Sequence, residues 1–218
     1  MKNDKIRNMK ITKLGHCCLL IETKGKRILT DPGSYTVEAH SKIENIDYIL
    51  FTHEHQDHYH IDSLKVILEK NPQVVIYSNS SVSELLDKEG IKHTQINHND
   101  SVSLGEIAVV GIGEKHAQMH KSIPQSSNLG YFIDGRLWYP GDAFTNPERS
   151  IEILALPVSG PWMKLSEAID YALLLKPKKV FPVHDGTRFG SAHVLPAKVL
   201  TPEGIEFIVM AEGDVKEF

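Results

Sequence analysis

The stretch that decides the fold is DYILFTHEHQDHYH, residues Asp47–His60. Its first six residues, Asp47–Thr52, are mostly apolar or aromatic, which is typical of a β-strand. The segment that follows is crowded with groups that can bind metals: His53, His55, Asp57, His58 and His60. Such a crowd is typical either of a metal site at a strand end or of a solvated, histidine-rich loop.

The spacing within this cluster favours the metal site. Residues two apart in an extended strand point to the same side, so His53 and His55 can face one ion. Asp57 and His58 follow where the chain turns towards a helix, and they can face a second point nearby. Imidazole nitrogen and carboxylate oxygen both reach Zn²⁺ at ~2.0–2.2 Å. His60 is expected to lie outside the coordination shell.

Composition places the chain among ordinary globular proteins. It has 218 residues, of which 41% are apolar and 24% charged, and this length can bury a large core without disulfides. No run approaches ~18 apolar residues, so no membrane span is expected, and the charged start lacks the apolar region of a secretion signal. A net charge of −4 without a long basic run argues against a nucleic-acid partner.

The two cysteines, Cys17 and Cys18, are adjacent, which is poor geometry for a disulfide between them. A reducing, cytoplasmic location is therefore expected. The two side chains should alternate across a strand, with at least one serving as a small buried apolar group. A nucleophilic cysteine would need an activating base, and the sequence identifies none.

Strand and helix patterns alternate along the chain. The first segment, KITKLGHCCLLIETKGKRILTDPG, predicts two strands around a turn at TKGK. Helical spacing of apolar residues follows in IDSLKVILEK, SSVSELLDKEG and LSEAIDYALLLK, with strand patterns between and after them. This alternation predicts one α/β domain over residues 1–218, with helices covering mixed sheets.

Three later strand patterns also end at metal-binding residues. They are GIGEKHA, YPGDAF and VFPVHDG, which carry His116, Asp142 and His184. Together with THEHQDH, these segments resemble the metallo-β-lactamase superfamily, whose members are mostly two-metal hydrolases. The resemblance extends over essentially the whole chain. It implies an αβ/βα sandwich of four layers, in which two mixed β-sheets face each other and helices cover the outside.

The resemblance also implies the metal ligands. It assigns one ion to His53, His55 and His116, the other to Asp57, His58 and His184, and the bridge between them to Asp142. A bridging carboxylate offsets the repulsion between dications ~3.5–4 Å apart. The expected nucleophile is a hydroxide bridging two zinc ions, since bound water has a pKa of roughly 7. Asp57 could orient this hydroxide and take or pass a proton.

One departure from the family pattern leaves the third histidine ligand open. The segment KHAQMHKS contains two histidines, His116 and His120. His116 lies nearer the strand end and is the expected ligand. His120 is then a candidate for lining the pocket or donating a proton to the leaving group.

The pieces GHCCLLIE, DPG, LPVSGPW and VFPVHDG resemble the branch that contains ascorbate 6-phosphate lactonase and many zinc-dependent hydrolases. This branch implies hydrolysis of a small-molecule ester, lactone or amide. One alternative is a phosphodiesterase acting on a nucleotide or phospholipid head group, and another is a mononuclear-iron oxygenase on the same fold. The di-iron redox branch commonly has glutamate where this chain has His55, so zinc is expected before manganese or iron. A homo-oligomer is compatible with each hypothesis.

Several further residues have two interpretations each. Asp31, in LTDPG, either accepts an N–H from a ligand imidazole or only holds its own turn. His16 either contacts substrate or caps a strand end. Trp162, with Pro161, either walls the pocket mouth or packs in the core, and Arg188 could bind an anionic substrate group.

Overall fold

Strands and helices alternate along residues 8–186 and 191–218, the part of the chain that the computed structural model describes. The strands are β1 Met9–Gly15, β2 Cys18–Thr23, β3 Lys26–Thr30, β4 Tyr48–Phe51, β5 Val75–Ser78, β6 Thr94–Gln95, β7 Ser101–Leu104, β8 Ile107–Ile112, β9 Gly130–Ile133, β10 Leu137–Tyr139, β11 Ile153–Pro157, β12 Lys179–Val183, β13 Glu206–Phe207 and β14 Val215–Glu217. The helices are α1 Val37–His40, α2 Ile61–Lys70, α3 Ser80–Lys88, α4 Leu165–Leu175 and α5 Ser191–Leu200. Arg188 lies outside the described residues.

The described strands form two mixed sheets of seven strands each, in the orders β14-β1-β2-β3-β4-β5-β6 and β13-β12-β11-β10-β9-β8-β7. In the first sheet β3 to β6 are parallel, and in the second β10 to β13 are parallel. Parallel strands of one sheet carry their carboxyl ends to the same edge, which is where α/β proteins place their sites. Most of the predicted ligands follow β4, β10 and β12, and His116 follows β8 of the second sheet, so this topology can gather them.

Three apolar cores separate the layers. Leu19 and Ile21 of β2 face the core between the two sheets, while Cys18 and Leu20 of the same strand face the core under α2 and α3. This switch of side at every residue is the two-residue period of a strand. A third core packs α4 and α5 against the second sheet. The order helix, sheet, sheet, helix confirms the predicted sandwich.

The N-terminal segment forms three strands, not the two that the sequence predicts. The chain reverses first between β1 and β2, where Gly15 pairs with Cys18, and again before β3. Gly15 and His16 make the first reversal with φ values of 134° and 44°. Histidine rarely adopts positive φ, so only the glycine could have signalled this turn. The turn places His16 and Cys17 at the edge of the sheet.

The end of the chain also differs from the prediction. The segment IEFIVMAEG contributes only the two residues of β13, and β14 pairs with β1 in the other sheet. Edge strands this short carry too little pattern to be recognised from sequence. Among the described residues, no helix combines the length and the apolar character needed to span a bilayer.

Candidate metal centre

The carboxyl-end edge of the two sheets brings the predicted ligands together. Two groups of side chains each place their ligand atoms within 4.8 Å of one another: His53, His55 and His116, and His53, His58 and Asp142. Most of these side chains are buried, whereas His55 and Asp57 are partly exposed. Buried imidazoles and carboxylates at this density need charge compensation, which a divalent ion would supply.

The tautomer of His58 is set by Asp31. The Nδ1 atom of His58 lies 2.9 Å from Oδ2 of Asp31, and a carboxylate can only accept, so Nδ1 carries the hydrogen. Asp31 also accepts the backbone N–H and the hydroxyl of Thr52, both at 2.8 Å. The interpretation of Asp31 as the partner of a ligand imidazole therefore matches the observed contact.

The same kind of argument sets two further tautomers. The hydroxyl of Thr52 donates to Asp31 and lies 3.0 Å from Nδ1 of His53, so that nitrogen must donate to the hydroxyl. Nδ1 of His116 lies 2.6 Å from the carbonyl of Ala117, which can only accept. In their neutral forms His53, His58 and His116 therefore carry the hydrogen on Nδ1, which leaves the lone pair of Nε2 for a metal.

Several of the Nε2 atoms at the site make no hydrogen bond. The Nε2 atoms of His53, His58, His116 and His184 are buried and unpartnered, as is Oδ1 of Asp142. Two ligand atoms on one tetrahedral zinc are about 3.4 Å apart, as bond lengths of ~2.1 Å dictate. His116 Nε2 lies 3.3 Å from Asp142 Oδ2, and His58 Nε2 lies 3.2 Å from Asp142 Oδ1. The donor set and its spacing fit divalent ions.

Asp142 lies between the two groups of ligands. Its Oδ1 faces His58, while its Oδ2 lies 2.9 Å from Nε2 of His184 and also faces His116. The indole N–H of Trp162 donates to Oδ2 at 2.8 Å. The side-chain oxygen of Asn128 accepts the backbone N–H of Asp142 at 2.9 Å, which fixes the loop that carries the carboxylate.

Asp57 is held by His16. Gly186 donates its backbone N–H to Nδ1 of His16 at 3.2 Å, so the ring carries its hydrogen on Nε2. This Nε2 donates to Oδ2 of Asp57 at 3.0 Å. The same carboxylate oxygen lies 3.4 Å from Nε2 of His184. His16 is thus bound to a predicted ligand and does not cap a strand end alone.

The charged groups shift one another's pKa values. Burial would raise the pKa of Asp142, but His58 and His184 outweigh it and hold that pKa well below its ordinary value. Burial would lower the pKa of His58, but Cys17, Asp142 and Asp31 raise it well above its ordinary value. Burial, together with His58, holds the pKa of His53 well below its ordinary value. Protons shared between buried carboxylates and imidazoles are those that a divalent ion displaces on binding.

Three residues around the site have strained backbones. His16, Asp31 and His184 adopt φ values of 44°, 40° and 57°. Non-glycine residues in this region cost of order 1–3 kcal/mol each and persist where surrounding contacts determine them. A buried lysine helps to hold the last of these turns. Lys13 donates to Oδ2 of Asp185 at 2.6 Å and to the carbonyl of Pro182 at 2.9 Å.

A cleft of about 360 Å³ opens onto the cluster. Tyr35, Met119, Pro161 and Trp162 line its walls, and the candidate ligands His55, Asp57, His116, Asp142 and His184 line its floor. Trp162 serves both predicted roles, since it is buried and also borders the cleft. The described lining contains no lysine or arginine.

The structure places the two competing histidines differently. His116 is buried in the cluster, whereas His120 is exposed and its Nδ1 lies 2.7 Å from the hydroxyl of Ser122 in its own loop. His120 is absent from the described cleft lining, and its predicted roles in lining the pocket and in proton transfer stay predictions. His60 caps helix α2 by accepting the N–H of Ser63, away from the ligands.

Sequence reasoning missed several supporting residues, among them Asn128, Tyr139 and Lys13. The hydroxyl of Tyr139 lies 2.7 Å from Oδ2 of Asp31. Lys13 lies on the same face of β1 as the buried Met9 and Ile11, and its side chain is 1% exposed, although lysine is rarely buried. No local pattern marks such residues, because their partners are distant in the sequence.

Comparisons with known proteins agree with this fold. A family model described as the beta-lactamase superfamily domain matches residues 10–184. Protein Rv0786c of Mycobacterium tuberculosis is 35% identical over 181 residues, which cover 81% of this chain and 84% of that protein. The UPF0173 metal-dependent hydrolase NEQ378 of Nanoarchaeum equitans is 27% identical over 192 residues, which cover 82% of this chain and 85% of that protein. The solved structure of Igni18, a metallo hydrolase from Ignicoccus hospitalis, has the same fold, with a TM-score of 0.77 at 21% identity over 97% of this chain and 98% of that chain.

Proposed function

The chain belongs to the beta-lactamase superfamily, and on this premise we propose that it is a metal-dependent hydrolase that uses two zinc ions to cleave a small-molecule ester, lactone or amide. One observation carries the proposal. The buried Nε2 lone pairs of His53, His58 and His116 have no hydrogen-bond partner, and their Nδ1 atoms are held as donors. This arrangement has no use in a dry core and suits a metal site.

We assign the ligands in two sets joined by one carboxylate. The first set is His53, His55 and His116, the second is Asp57, His58 and His184, and Asp142 lies between them. When bound, the two ions would supply a hydroxide nucleophile at neutral pH and an electrophile for the carbonyl oxygen.

Asp57 is assigned the proton-handling role. Its carboxylate borders the cleft, and His16 occupies one of its oxygens through an N–H at 3.0 Å. The other oxygen is left to orient the attacking water and accept its proton. His16 in this assignment keeps the carboxylate from rotating, because a hydrogen bond at one oxygen fixes the position of the other.

The cleft favours small and uncharged substrates. Its volume of about 360 Å³ lies near the lower end of the ~300–1,000 Å³ range of ligand pockets. Apart from Ser34, Gln56 and the candidate ligands, its lining is apolar or aromatic, and the described lining offers no lysine or arginine to hold a phosphate. An ester, lactone or amide therefore suits it better than a phosphodiester. The free cysteines Cys17 and Cys18 suit the cytoplasmic location that the sequence predicts.

The test compares variants on a mixed substrate panel. Zinc-reconstituted protein is assayed on aryl esters, lactones, an amide and bis-p-nitrophenyl phosphate, with Asp57→Asn and His120→Ala beside the wild type. We expect hydrolysis of a carboxylic substrate, a loss of kcat of ~10²-fold or more in Asp57→Asn, and little change in His120→Ala. Activity that survives metal stripping would contradict the proposal. Faster cleavage of bis-p-nitrophenyl phosphate than of the carboxylic substrates would show that the substrate class is a phosphodiester.

A further inference from the structure

The Cys17 thiol lies among the candidate ligands of the second ion. The sulfur of Cys17 and one nitrogen each of His16, His58 and His184 lie within 4.8 Å of one another. Cys17 is 2% exposed and forms no disulfide. Neither the comparisons nor the predicted ligand set assigns it a role.

Two of the imidazoles around this sulfur have buried nitrogens without a hydrogen-bond partner. Nε2 of His58 and both ring nitrogens of His184 are buried and make no hydrogen bond. His16 is not proposed as a ligand, because both of its ring nitrogens already form hydrogen bonds. Its Nε2 donates to Asp57, and its Nδ1 accepts from Gly186. A buried sulfur beside imidazoles that have unpartnered nitrogens is positioned to share one ion with nitrogen ligands.

The backbone holds Cys17 in this place. The hydroxyl of Thr30 donates to the carbonyl of Cys17 at 3.1 Å. The next residue back, His16, accepts the backbone N–H of His184 through its own carbonyl at 3.1 Å. The turn that carries the cysteine is thus tied directly to the turn that carries a predicted ligand, and the thiol does not depend on a mobile segment to reach the site.

We propose that Cys17 is a ligand of the ion assigned to Asp57, His58 and His184. This inference rests on the proposed two-ion site. A cysteine binds metal as the thiolate, so the thiol proton leaves to solvent when the metal–sulfur bond forms. Beside Asp57, His58, His184 and the shared Asp142, Cys17 would be the fifth ligand, a number that zinc accepts, and the water would then be held by the first ion.

A sulfur ligand changes the choice of metal. Thiolates select soft and borderline ions such as Zn²⁺, whereas Mn²⁺ prefers oxygen. The second site should therefore discriminate for zinc against manganese. Without the sulfur, the remaining histidine and aspartate ligands bind both ions, and the discrimination should weaken.

Cys18 supplies a matched control in the adjacent position. Cys17 belongs to the core between the sheets, whereas Cys18 faces the core under the helices. Both are buried and free, so substitution by alanine removes the same atoms from each. A role in packing would affect both variants alike, but a role in metal binding would affect Cys17→Ala alone.

The experiment is a cobalt titration of metal-free protein. Visible d–d absorption reports bound Co²⁺ whatever its ligands, and a sulfur-to-cobalt charge-transfer band in the near ultraviolet reports a metal–sulfur bond. We expect this band with the second equivalent in wild type and in Cys18→Ala, and its loss in Cys17→Ala and Cys17→Ser. The preference of the second site for zinc over manganese should fall about tenfold or more in Cys17→Ala.

The outcomes separate this inference from the function on which it rests. Two bound equivalents of cobalt without the charge-transfer band would overturn the ligand role of Cys17 and leave the two-ion hydrolase standing. No cobalt binding in wild type would overturn both. The serine variant retains the size of the side chain, so loss of the band in a folded Cys17→Ser protein cannot come from a collapsed core.

Discussion

Trp162 donates its indole N–H to Oδ2 of Asp142 over 2.8 Å, and both side chains are buried. The same oxygen lies 2.9 Å from Nε2 of His184 and 3.3 Å from Nε2 of His116. The indole thus fixes the carboxylate that faces both sets of candidate ligands. A hydrogen bond to a charged group in a buried setting is stronger than one in water.

Substitution of Trp162 by phenylalanine should weaken metal binding. The variant keeps an aromatic ring beside Asp142 but removes the N–H donor, so the carboxylate is free to rotate. Loss of such a supporting contact typically costs ~10–100-fold in metal affinity. Competition with a zinc chelator measures this loss, and an unchanged affinity would contradict the positioning role.

Trp138 provides the control for that prediction. Its indole N–H donates to the hydroxyl of Tyr171 at 2.8 Å, in the core under α4 and away from the ligands. Trp138→Phe therefore removes the same donor without touching the site. We expect it to lower the melting temperature while leaving zinc affinity and stoichiometry unchanged.

Asp31→Asn should remove the hydrogen bonds that fix the tautomers of His58 and His53. The carboxylate accepts from Nδ1 of His58 directly and supports His53 through the hydroxyl of Thr52. An amide can replace only part of this set of accepted hydrogen bonds. We expect zinc affinity to fall ~10–100-fold, measured by calorimetry. Asp47→Asn, which alters a partly exposed aspartate paired with Lys26, should leave the affinity unchanged.

Gly33→Ala should disturb the loop that carries Asp57 and His58. A Cβ at Gly33 would lie 1.9 Å from the carbonyl oxygen of Asp57 and 2.5 Å from the backbone nitrogen of His58. These are backbone atoms, so the loop must move, and overpacking of this kind costs about 1–3 kcal/mol. We expect both a lower free energy of unfolding and weaker zinc binding.

Gly90→Ala separates the loss of stability from the loss of zinc binding that are expected for Gly33→Ala. Gly90 has a φ of 66°, and a Cβ there would meet nothing within 4 Å. The left-handed backbone should cost roughly 1–2 kcal/mol of stability. Zinc binding should stay at the wild-type level. If Gly33→Ala behaved in the same way, the contact between Gly33 and the ligand loop would have no bearing on the site.

His40 should make the metal-free protein less stable at acidic pH. Burial, with a smaller contribution from His60, lowers the pKa of His40 to about 4, whereas an unfolded histidine has a pKa of ~6.5. Above ~6.5 both states are neutral and the folded state keeps its full stability. Below pH ~6.5, His40 binds a proton in the unfolded state but stays neutral in the folded state. The free energy of unfolding therefore falls until the pH reaches about 4.

Urea denaturation at pH 7.5 and at pH 5, with chelator in every sample, measures this effect. Between ~6.5 and 5 the loss from His40 amounts to about 2 kcal/mol. His40→Gln should lose less stability than wild type by that amount. Equal losses in the two proteins would show that His40 does not carry the pH dependence.

The fold was predictable because its signals are local. The apolar strand Tyr48–Phe51, the helical spacing in α2 and α4, and the ligand-bearing segments after β4, β10 and β12 are all recognisable in short windows of sequence. The first reversal was missed because it depends on a histidine with positive φ, which is uncommon for any residue except glycine. Edge strands such as β6 and β14 were missed because two or three residues carry no period.

The sequence by itself determined the alternation of strands and helices, since hydrophobic periodicity is local, and its ligand-bearing motifs determined the family resemblance, which in turn implied the four layers and the meeting of the ligand segments. Only the tertiary structure decided which nitrogen of each histidine is free, through Asp31, Thr52 and the carbonyl of Ala117. It alone placed Cys17 beside the candidate ligands and joined the indole of Trp162 to Asp142. The physical reason is that a hydrogen bond between residues such as Tyr139 and Asp31, 108 positions apart, depends on where the packed sheets place them and leaves no trace in either local pattern.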